Sequence, residues 1–293
     1  MLGPLHHEDL VVASLGSGSK GNATYIGTSE RGVLIDCGIS TRQILARMDA
    51  VGLGDATLDA VLLTHEHTDH VGACAVLERA LLKRQGDAVP FYATAGTAEG
   101  MRASLRPNGL DIARAGMPVQ IGSLRAEPHR VPHDTLEPVA WVVQHGDTRA
   151  GVITDLGHLT RGTARMMGSL DVAVLEFNHD TERLMDGPYP WHLKQRIRGR
   201  HGHLSNDEGA RLLREAASER LRHVLLAHLS EENNSPQLAF EAAEQGLKDS
   251  AATHAVLHVA QQGVPTSVRV GARTHAVAPP SHGTTAQQQR LFR

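Results

Sequence analysis

The sequence has little cysteine, no long hydrophobic run and no recognisable export signal. Its two cysteines, Cys37 and Cys74, are too few for the disulfide framework of a small secreted protein. No stretch approaches the ~18 consecutive apolar residues of a membrane-spanning helix. The start of the chain has no basic segment followed by an apolar one, which a secretion signal would need. We therefore expect a cytoplasmic protein with no membrane segment.

Aromatic residues are also scarce, at 3% of the chain, and the formal net charge is only −3. A protein that binds single strands by stacking many bases would need more aromatic side chains. A protein that coats nucleic acid without specificity would be strongly basic. Histidine, in contrast, occurs 19 times among the 293 residues. If the protein binds a metal, we expect imidazole and carboxylate groups to hold it rather than thiolates.

The order of apolar runs and helical patterns predicts an α/β fold. In the first third, apolar runs such as residues 58–63 alternate with helical spacing such as residues 40–51. Residues 123–154 are rich in strand patterns, and the alternation returns over residues 160–259. This order predicts two packed sheets with helices outside, which is a four-layer αββα sandwich. We expect this domain to span residues 1–272 and a polar, disordered tail to span residues 273–293.

One segment carries the strongest chemical signal. Four candidate metal ligands lie within six positions, directly after a predicted strand and before a predicted helix: His65, His67, Asp69 and His70. In an extended segment His65 and His67 point the same way, and the later pair could reach a second ion. Nitrogen and oxygen ligands suit zinc, manganese or iron. The alternative is a polar loop that contains three histidines by chance.

The pattern His-x-His-x-Asp-His after a short apolar strand resembles the signature of the metallo-β-lactamase superfamily. That resemblance implies an αββα sandwich with a one- or two-metal site at the edge between the sheets. Further stretches are similar to the YycJ/WalJ/VicX-like branch, which holds bacterial cytoplasmic members. These stretches are residues 14–22, 34–38, 133–134, 137–138, 154–157, 175–180, 189–191, 202–206 and 228–234.

The resemblance implies two sets of metal ligands and one carboxylate that both ions share. One ion would be held by His65, His67 and His133, the other by Asp69, His70 and His228, and Asp155 would bridge them. Two divalent ions, Zn²⁺ or Mn²⁺, would lower the pKa of a bridging water and give hydroxide at neutral pH. His201 and His203 are the other late histidines, but His228 follows a strand-like run and is therefore preferred as a ligand.

Other residues would support the metals or the reaction. The resemblance places His203 beside the scissile phosphate, so that Asp69 and His203 are the predicted catalytic residues. Orientation of the ligands is predicted for Asp36, Glu176 and His179. The alternatives are a strand-end turn residue for Asp36 and a helix-start residue without function for His203.

A basic run precedes His203 in a chain that is slightly acidic overall. Its members are Lys194, Arg196, Arg198 and Arg200. Such a run could follow a phosphate backbone, although a solvated helix face is the alternative. Together with the resemblance, it predicts a phosphodiester hydrolase, a 5′-to-3′ DNA exonuclease of mismatch repair that acts at double-stranded DNA ends. The rival interpretations are a hydrolase of small phosphodiesters or thioesters, and a regulatory protein with a structural metal site.

The last residues suggest a partner. Gln288, Leu291 and Phe292 form the pattern Gln-x-x-Leu-Phe. This pattern resembles the short motif by which bacterial repair and replication proteins bind the sliding clamp. The glutamine would form hydrogen bonds, and the two apolar side chains would fill a pocket. The alternative is a chance match, since the motif is only five residues long.

Overall fold

The structure, a computed structural model, describes residues 9–271 and consists of two mixed sheets of seven strands each. The first sheet has the order β14-β1-β2-β3-β4-β5-β6. Its strands are β1 (Leu10–Gly16), β2 (Ala23–Gly27), β3 (Arg31–Ile35), β4 (Thr57–Leu62), β5 (Phe91–Ala93), β6 (Leu110–Ile112) and β14 (Thr266–Val270). Strand β1 pairs antiparallel with β14 and β2, whereas β3 to β6 pair in parallel.

The second sheet has the order β13-β12-β11-β10-β9-β8-β7. Its strands are β7 (Val119–Ile121), β8 (Leu124–Arg130), β9 (Val139–His145), β10 (Thr148–Ile153), β11 (Val172–Glu176), β12 (His223–Ala227) and β13 (Val256–Val259). Strands β7 to β10 are antiparallel and β10 to β13 are parallel. Each sheet therefore brings several carboxyl-terminal strand ends to one edge.

The helices connect and cover these strands. They are α1 (Thr41–Ala50), α2 (Thr68–Val71), α3 (Cys74–Gln85), α4 (Ala95–Gly100), α5 (Arg161–Met167), α6 (Thr181–Asp186), α7 (Trp191–Ile197), α8 (Asn206–Ala216) and α9 (Pro236–Lys248). Several begin where the sequence supplies a cap. At α8, for example, Ser205 and Glu208 form a reciprocal capping box, which satisfies backbone N–H groups that the helix leaves free.

Three clusters of buried apolar side chains define the layers. One lies between the sheets and includes Trp141, whose Nε1–H donates to the carbonyl of Leu63 at 2.9 Å. A second packs α1 and α3 against the first sheet, through residues such as Ile44. The third packs α5, α8 and α9 against the second sheet, through residues such as Leu213. The predicted αββα sandwich is confirmed. Within residues 9–271, no helix is long and apolar enough to cross a membrane.

The tail prediction and the proposed clamp motif lie outside the described residues, because the description ends at residue 271. The last strand, β14, pairs with β1 at the edge of the first sheet. The chain therefore returns to its amino-terminal strand at the end of the described residues.

Two histidines on neighbouring strands give the fold a pH-dependent stability. Nδ1 of His223 lies 3.1 Å from Nε2 of His258. Burial, together with the charges of His258 and Arg222, lowers the pKa of His223 to about 4, and burial also lowers the pKa of His258. Between pH 6.5 and about pH 4 the unfolded chain therefore binds more protons than the native one. The contribution of the neutral His223 to the free energy of unfolding is complete above pH 6.5 and is lost as the pH falls toward 4.

We expect His223→Gln to reduce this loss. Urea unfolding at about pH 7 and about pH 4.5 should show a smaller fall in the free energy of unfolding for the variant than for the wild type. His254→Gln is the matched control, because His254 is exposed and should leave the fall unchanged. An equal fall in all three proteins would show that the His223–His258 contact does not carry this pH dependence.

Candidate metal centre

Three strand ends turn sharply around one histidine, His70. Asp36, Asp155 and His228 have φ angles of 60°, 58° and 57°, and they are the non-glycine residues with positive φ among residues 9–271. They follow strands β3, β10 and β12 within two residues. A left-handed conformation costs a non-glycine residue about 1–2 kcal/mol, and such strain concentrates at functional sites. The fold therefore holds these three side chains in place at a cost in local stability.

The loop after β4 supplies the first group of potential ligands. His65 Nε2 lies 3.1 Å from His67 Nδ1. His133, which follows β8, lies with its ring centroid 5.0 Å from that of His65 and 5.2 Å from that of His67. One nitrogen from each of these three rings lies within 4.8 Å of the others. The structure thus brings together the three histidines predicted to hold one ion.

A second group lies beside the first. Asp69 Oδ2 is 3.5 Å from His70 Nε2 and 3.8 Å from His228 Nε2. One ligand atom from each of these residues also lies within 4.8 Å of the others. His70 and His228 are buried, and Asp69 is partly exposed to the cleft. The residues predicted to hold the other ion are therefore also adjacent.

The buried carboxylate of Asp155 lies between the two groups. Its Oδ2 is 3.3 Å from His70 Nε2, and its Oδ1 is 3.8 Å from His133 Nε2 and 3.6 Å from His228 Nε2. One carboxylate thus approaches nitrogens of both groups. This is the placement that a bridging ligand would need.

The donor atoms fit divalent cations. His133 Nε2, Asp155 Oδ2 and His228 Nε2 are buried and have no hydrogen-bond partner. Buried polar atoms of this kind are rare and costly unless something binds them. All three face a cluster of imidazole nitrogens and carboxylate oxygens, a donor set that suits Zn²⁺ and Mn²⁺.

The electrostatics of the cluster also favour positive charge. Burial alone would lower the pKa of His228, but Asp155, Asp69 and Glu176 raise it to about 10. The pKa of His70 is raised as well: burial opposes the charged form, but Asp155 and Asp36 outweigh it. Metal binding must displace such protons. We therefore expect the affinity of this cluster for a divalent ion to increase with pH.

A second row of side chains holds the rings in place. Asp36 Oδ2 lies 2.7 Å from His70 Nδ1 and accepts from Thr64 Oγ1 at 2.8 Å. Glu176 Oε1 lies 3.0 Å from His228 Nδ1 and 2.8 Å from His203 Nδ1. Each carboxylate contacts the nitrogen remote from the cluster, as an orienting group does in metal sites.

His203 and His179 occupy different environments. His203 lines the cleft, its side chain is 21% exposed, and Glu176 holds its Nδ1 edge. His179 is buried, and its Nδ1 has no hydrogen-bond partner. Burial lowers the pKa of His179 to about 4. Its carbonyl accepts from the backbone N–H of Asn206 at the start of α8.

The predicted basic run does not present four equivalent charges. Lys194 is buried, and its Nζ donates to the carbonyl oxygens of Met185 and Gly187 at 2.5 and 2.7 Å. Arg196 lies on the cleft, where its Nε donates to Asp134 Oδ2 at 2.7 Å. The prediction that Lys194 faces a phosphate backbone does not fit this placement. Its ammonium instead ties α7 to the end of α6.

The remaining two arginines, Arg198 and Arg200, are not paired with a carboxylate in the described contacts. Arg198 Nη1 lies 3.2 Å from Met185 Sδ, and Arg200 Nη2 lies 3.2 Å from His158 Nε2. Arg200 also approaches the backbone of Gly157, two residues after Asp155, where an added Cβ would lie 2.3 Å from the Arg200 carbonyl oxygen. This close packing holds the end of the basic run against the loop that carries Asp155.

Several residues at the site have no role in the sequence-based prediction. Asn22 Nδ2 lies 3.0 Å from His70 Nε2, and Asn178 Nδ2 donates to the carbonyl of His228 at 2.8 Å. Asp134 Oδ1 lies 3.3 Å from His133 Nε2. All three stand in the motif stretches that carry the family resemblance. Their contacts, however, join segments distant in the chain, except for the adjacent pair of Asp134 and His133.

Gly38 allows the loop of Asp69 to approach strand β3. A Cβ at Gly38 would lie 1.6 Å from the carbonyl oxygen of Asp69, an oxygen that already accepts from the backbone N–H of Asn22 at 2.7 Å. We expect Gly38→Ala to displace Asp69 and thereby to weaken metal binding. Any reaction that depends on the bound metal should slow about 100-fold, since a shift of about 1 Å costs that much in a catalytic site.

Gly263→Ala is the matched control for this change, because a Cβ there would meet nothing within 4 Å. Metal titration and circular dichroism should show weaker metal binding with a folded domain in Gly38→Ala, and neither effect in Gly263→Ala. Unchanged metal affinity in Gly38→Ala would contradict the importance of this contact.

The ligand groups open onto a cleft of about 290 Å³. Its walls come from the metal-ligand loops and from α7, through Leu193, Arg196 and Ile197. A cluster of imidazole nitrogens and carboxylate oxygens at the strand ends of an αββα sandwich is typical of metal-dependent hydrolases. Residues 31–228 match the family model of the beta-lactamase superfamily domain. The chain belongs to this superfamily.

Two relatives show that the chain belongs to the family of the WalJ and YycJ proteins, and one solved structure has the same fold. The chain is 34% identical over 230 residues to exodeoxyribonuclease WalJ of Streptococcus pneumoniae, covering 77% of this chain and 83% of that protein. It is 32% identical over 238 residues to exodeoxyribonuclease YycJ of Bacillus anthracis, covering 80% and 88%. The metallo-beta-lactamase fold protein YhfI of Bacillus subtilis superposes with a TM-score of 0.67 at 17% identity, covering 89% and 100%. The family resemblance found in the sequence is thereby confirmed.

Proposed function

We propose that this protein is a metal-dependent 5′-to-3′ DNA exonuclease with two divalent ions, Zn²⁺ or Mn²⁺, in its cleft. The observation that carries this proposal is the position of Asp155 between two ligand groups, on a cleft whose wall bears an arginine. The names of the relatives WalJ and YycJ support deoxyribonuclease activity. We further propose that it acts in the cytoplasm on double-stranded DNA ends, and that it serves mismatch repair.

The residues present define where the ions would be held. The first ion would be held by His65, His67 and His133, the second by Asp69, His70 and His228, and both by Asp155. When bound, such ions supply Lewis acidity and make a water acidic enough to ionise near neutral pH. The protein contributes the fixed geometry: Asp36 and Glu176 prevent the rings of His70 and His228 from turning.

His203 and Asp69 are the proposed catalytic residues. Glu176 holds Nδ1 of His203 at 2.8 Å, which leaves the Nε2 edge on the opposite side of the ring. A proton at Nε2 could be donated to the oxygen of the leaving group or hydrogen-bonded to a phosphoryl oxygen. Asp69 reaches the same cleft with a partly exposed carboxylate, which can accept a hydrogen bond from the attacking water and orient it.

Arg196 would bind the phosphate that enters this cleft. Its side chain is 61% exposed, although Nε donates to Asp134. That carboxylate lies 3.3 Å from His133 Nε2 and 3.8 Å from His67 Nε2, so the arginine is positioned relative to the first ligand group. Arg198 and Arg200 extend the positive charge away from the cleft along the same segment. We therefore propose that three arginines contact the phosphate backbone of the DNA, rather than the four cations predicted from the sequence.

A comparison of substrates tests this function. The metal-loaded protein, with Zn²⁺ and Mn²⁺ compared, is incubated with 5′-phosphorylated double-stranded DNA, single-stranded DNA, RNA and bis(p-nitrophenyl) phosphate. We expect nucleotides to be released from DNA 5′ ends, with a rate that falls steeply as salt increases. Cleavage of the small diester alone would favour a small-molecule hydrolase. Metal binding without cleavage of any substrate would favour a structural site in a regulatory protein.

A charge variant separates these alternatives further. Replacing Arg196, Arg198 and Arg200 together by glutamine should weaken DNA cleavage and reduce its salt dependence, while hydrolysis of the small diester remains. Arg211→Gln is a control, because Arg211 is an exposed arginine of α8 that pairs with Glu215.

Binding of a peptide of residues 281–293 to the purified sliding clamp would test the proposed tail motif, and no detectable binding would overturn it.

A further inference from the structure

Helix α7 has one face on the metal cleft and another on a second groove. Leu193, Arg196 and Ile197 line the cleft. The opposite side of the helix, with Trp191, Gln195 and Arg198 at helical spacing, lines a neighbouring groove of about 310 Å³ together with Met185 and Lys194. A single helix therefore forms the wall between two adjacent depressions in the surface.

The groove is marked by an exposed tryptophan. Trp191 is 59% exposed, whereas the only other tryptophan of the chain, Trp141, is fully buried in the core. Arg198 lines the same groove, and none of the five residues that line it is acidic. An aromatic ring and an arginine in one groove are a combination by which proteins stack an unpaired base and hold its backbone.

The wall is held rigidly. Buried Lys194 donates to the carbonyl oxygens of Met185 and Gly187, which fixes α7 against the end of α6. At its other end, the carbonyl of Ile197 accepts from the backbone N–H of His203 at 2.9 Å. These contacts fix the position of α7 relative to His203, the proposed catalytic histidine. They therefore also fix the position of Trp191, at the start of α7, relative to the cleft.

We propose that α7 parts the two strands of a DNA end: one strand enters the metal cleft, and an unpaired base of the other stacks on Trp191 in the second groove. This inference rests on the proposed nuclease function. The cleft measures about 290 Å³, at the small end of pockets that hold a drug-sized ligand. It is therefore too small for a base-paired duplex, and we expect the terminal pairs to open before a phosphate reaches the ligand groups. Stacking on Trp191 would compensate for the base stacking that this opening removes.

The test compares duplex and single-stranded DNA of the same sequence, each with a 5′ phosphate. Trp191→Ala should lower cleavage of the duplex roughly 10- to 100-fold and cleavage of the single strand less than about two-fold. Trp191→Phe, which keeps an aromatic ring, should recover most of the duplex activity. Phe240→Ala is the control, because Phe240 is another exposed aromatic residue, 39% exposed, on α9.

A binding measurement keeps this inference separate from the proposed function. Fluorescence of Trp191 should be quenched by a duplex with unpaired terminal bases and much less by a blunt, fully paired one, with Trp191→Phe as the blank. Failure of the protein to cleave any DNA would overturn the nuclease proposal, while this quenching would still support the base site. Equal loss of duplex and single-strand cleavage in Trp191→Ala, or no quenching by unpaired ends, would overturn the strand-parting role.

Discussion

Replacement of Asp155 by asparagine is expected to lower DNA cleavage by at least about a thousand-fold, because Lewis-acid stabilisation contributes several kcal/mol. The carboxylate lies 3.3 Å from His70 Nε2, 3.8 Å from His133 Nε2 and 3.6 Å from His228 Nε2. An amide has nearly the same shape as the carboxylate but carries no negative charge, so it would hold a divalent ion much less strongly. The measurement is the rate of nucleotide release together with the number of ions bound per chain.

The prediction for Asp155 also separates a bridging ligand from a purely structural residue. The variant should bind less than the wild-type number of ions while its circular dichroism spectrum remains that of a folded αββα domain. Asp87→Asn is a suitable control, since Asp87 is exposed and lies between α3 and β5. Full metal occupancy with full activity in Asp155→Asn would contradict a bridging role.

Replacement of His203 by alanine is expected to lower kcat about 10²- to 10⁴-fold, the range of general acid–base catalysis. The ring lines the cleft and contacts Glu176 Oε1 at 2.8 Å, but it is not among the seven side chains proposed to hold the ions. Metal content should therefore stay at the wild-type value. His201→Ala is the matched control, because His201 lies two residues away and is exposed.

The leaving group distinguishes catalysis by His203 from a merely structural role. If the imidazole donates a proton to the leaving group, the loss of activity in His203→Ala should depend on how much that group needs the proton. A substrate whose leaving group needs no proton, such as a nitrophenyl ester, should lose far less activity. Equal losses on both kinds of leaving group, or loss of metal from the variant, would show that His203 acts by holding the site together.

The αββα architecture and the centre of the site could be predicted because both leave local marks in the sequence. Buried parallel strands read as short apolar runs, and His65, His67, Asp69 and His70 stand together in one loop. The strand-like run of residues 223–227 before His228 predicts a strand, and β12 has those bounds in the structure. Short edge strands such as β6 and β7, of three residues each, carry too few side chains to show a pattern.

Other features depend on contacts that no local pattern reveals. The sequence pattern predicts a helix over residues 95–105, but α4 ends at Gly100, where Met101 adopts an extended backbone. Lys194 stands in a basic run of the sequence, but its ammonium reaches two carbonyl oxygens, one in the last turn of α6 and one at Gly187 after it. The contact between Asn22 and His70 joins residues 48 positions apart. Charge and spacing predict which groups are present, whereas the folded chain determines which of them are already paired.

The most direct test of the account is a titration of metal-free protein with Zn²⁺ or Mn²⁺ in which bound metal and DNA cleavage are followed together. We predict that release of nucleotides from a 5′-phosphorylated duplex rises as two ions bind per chain. In Asp155→Asn, neither the second ion nor the activity should appear. A wild-type protein that binds two ions, remains folded and leaves every DNA substrate intact would contradict the claim that this centre hydrolyses DNA.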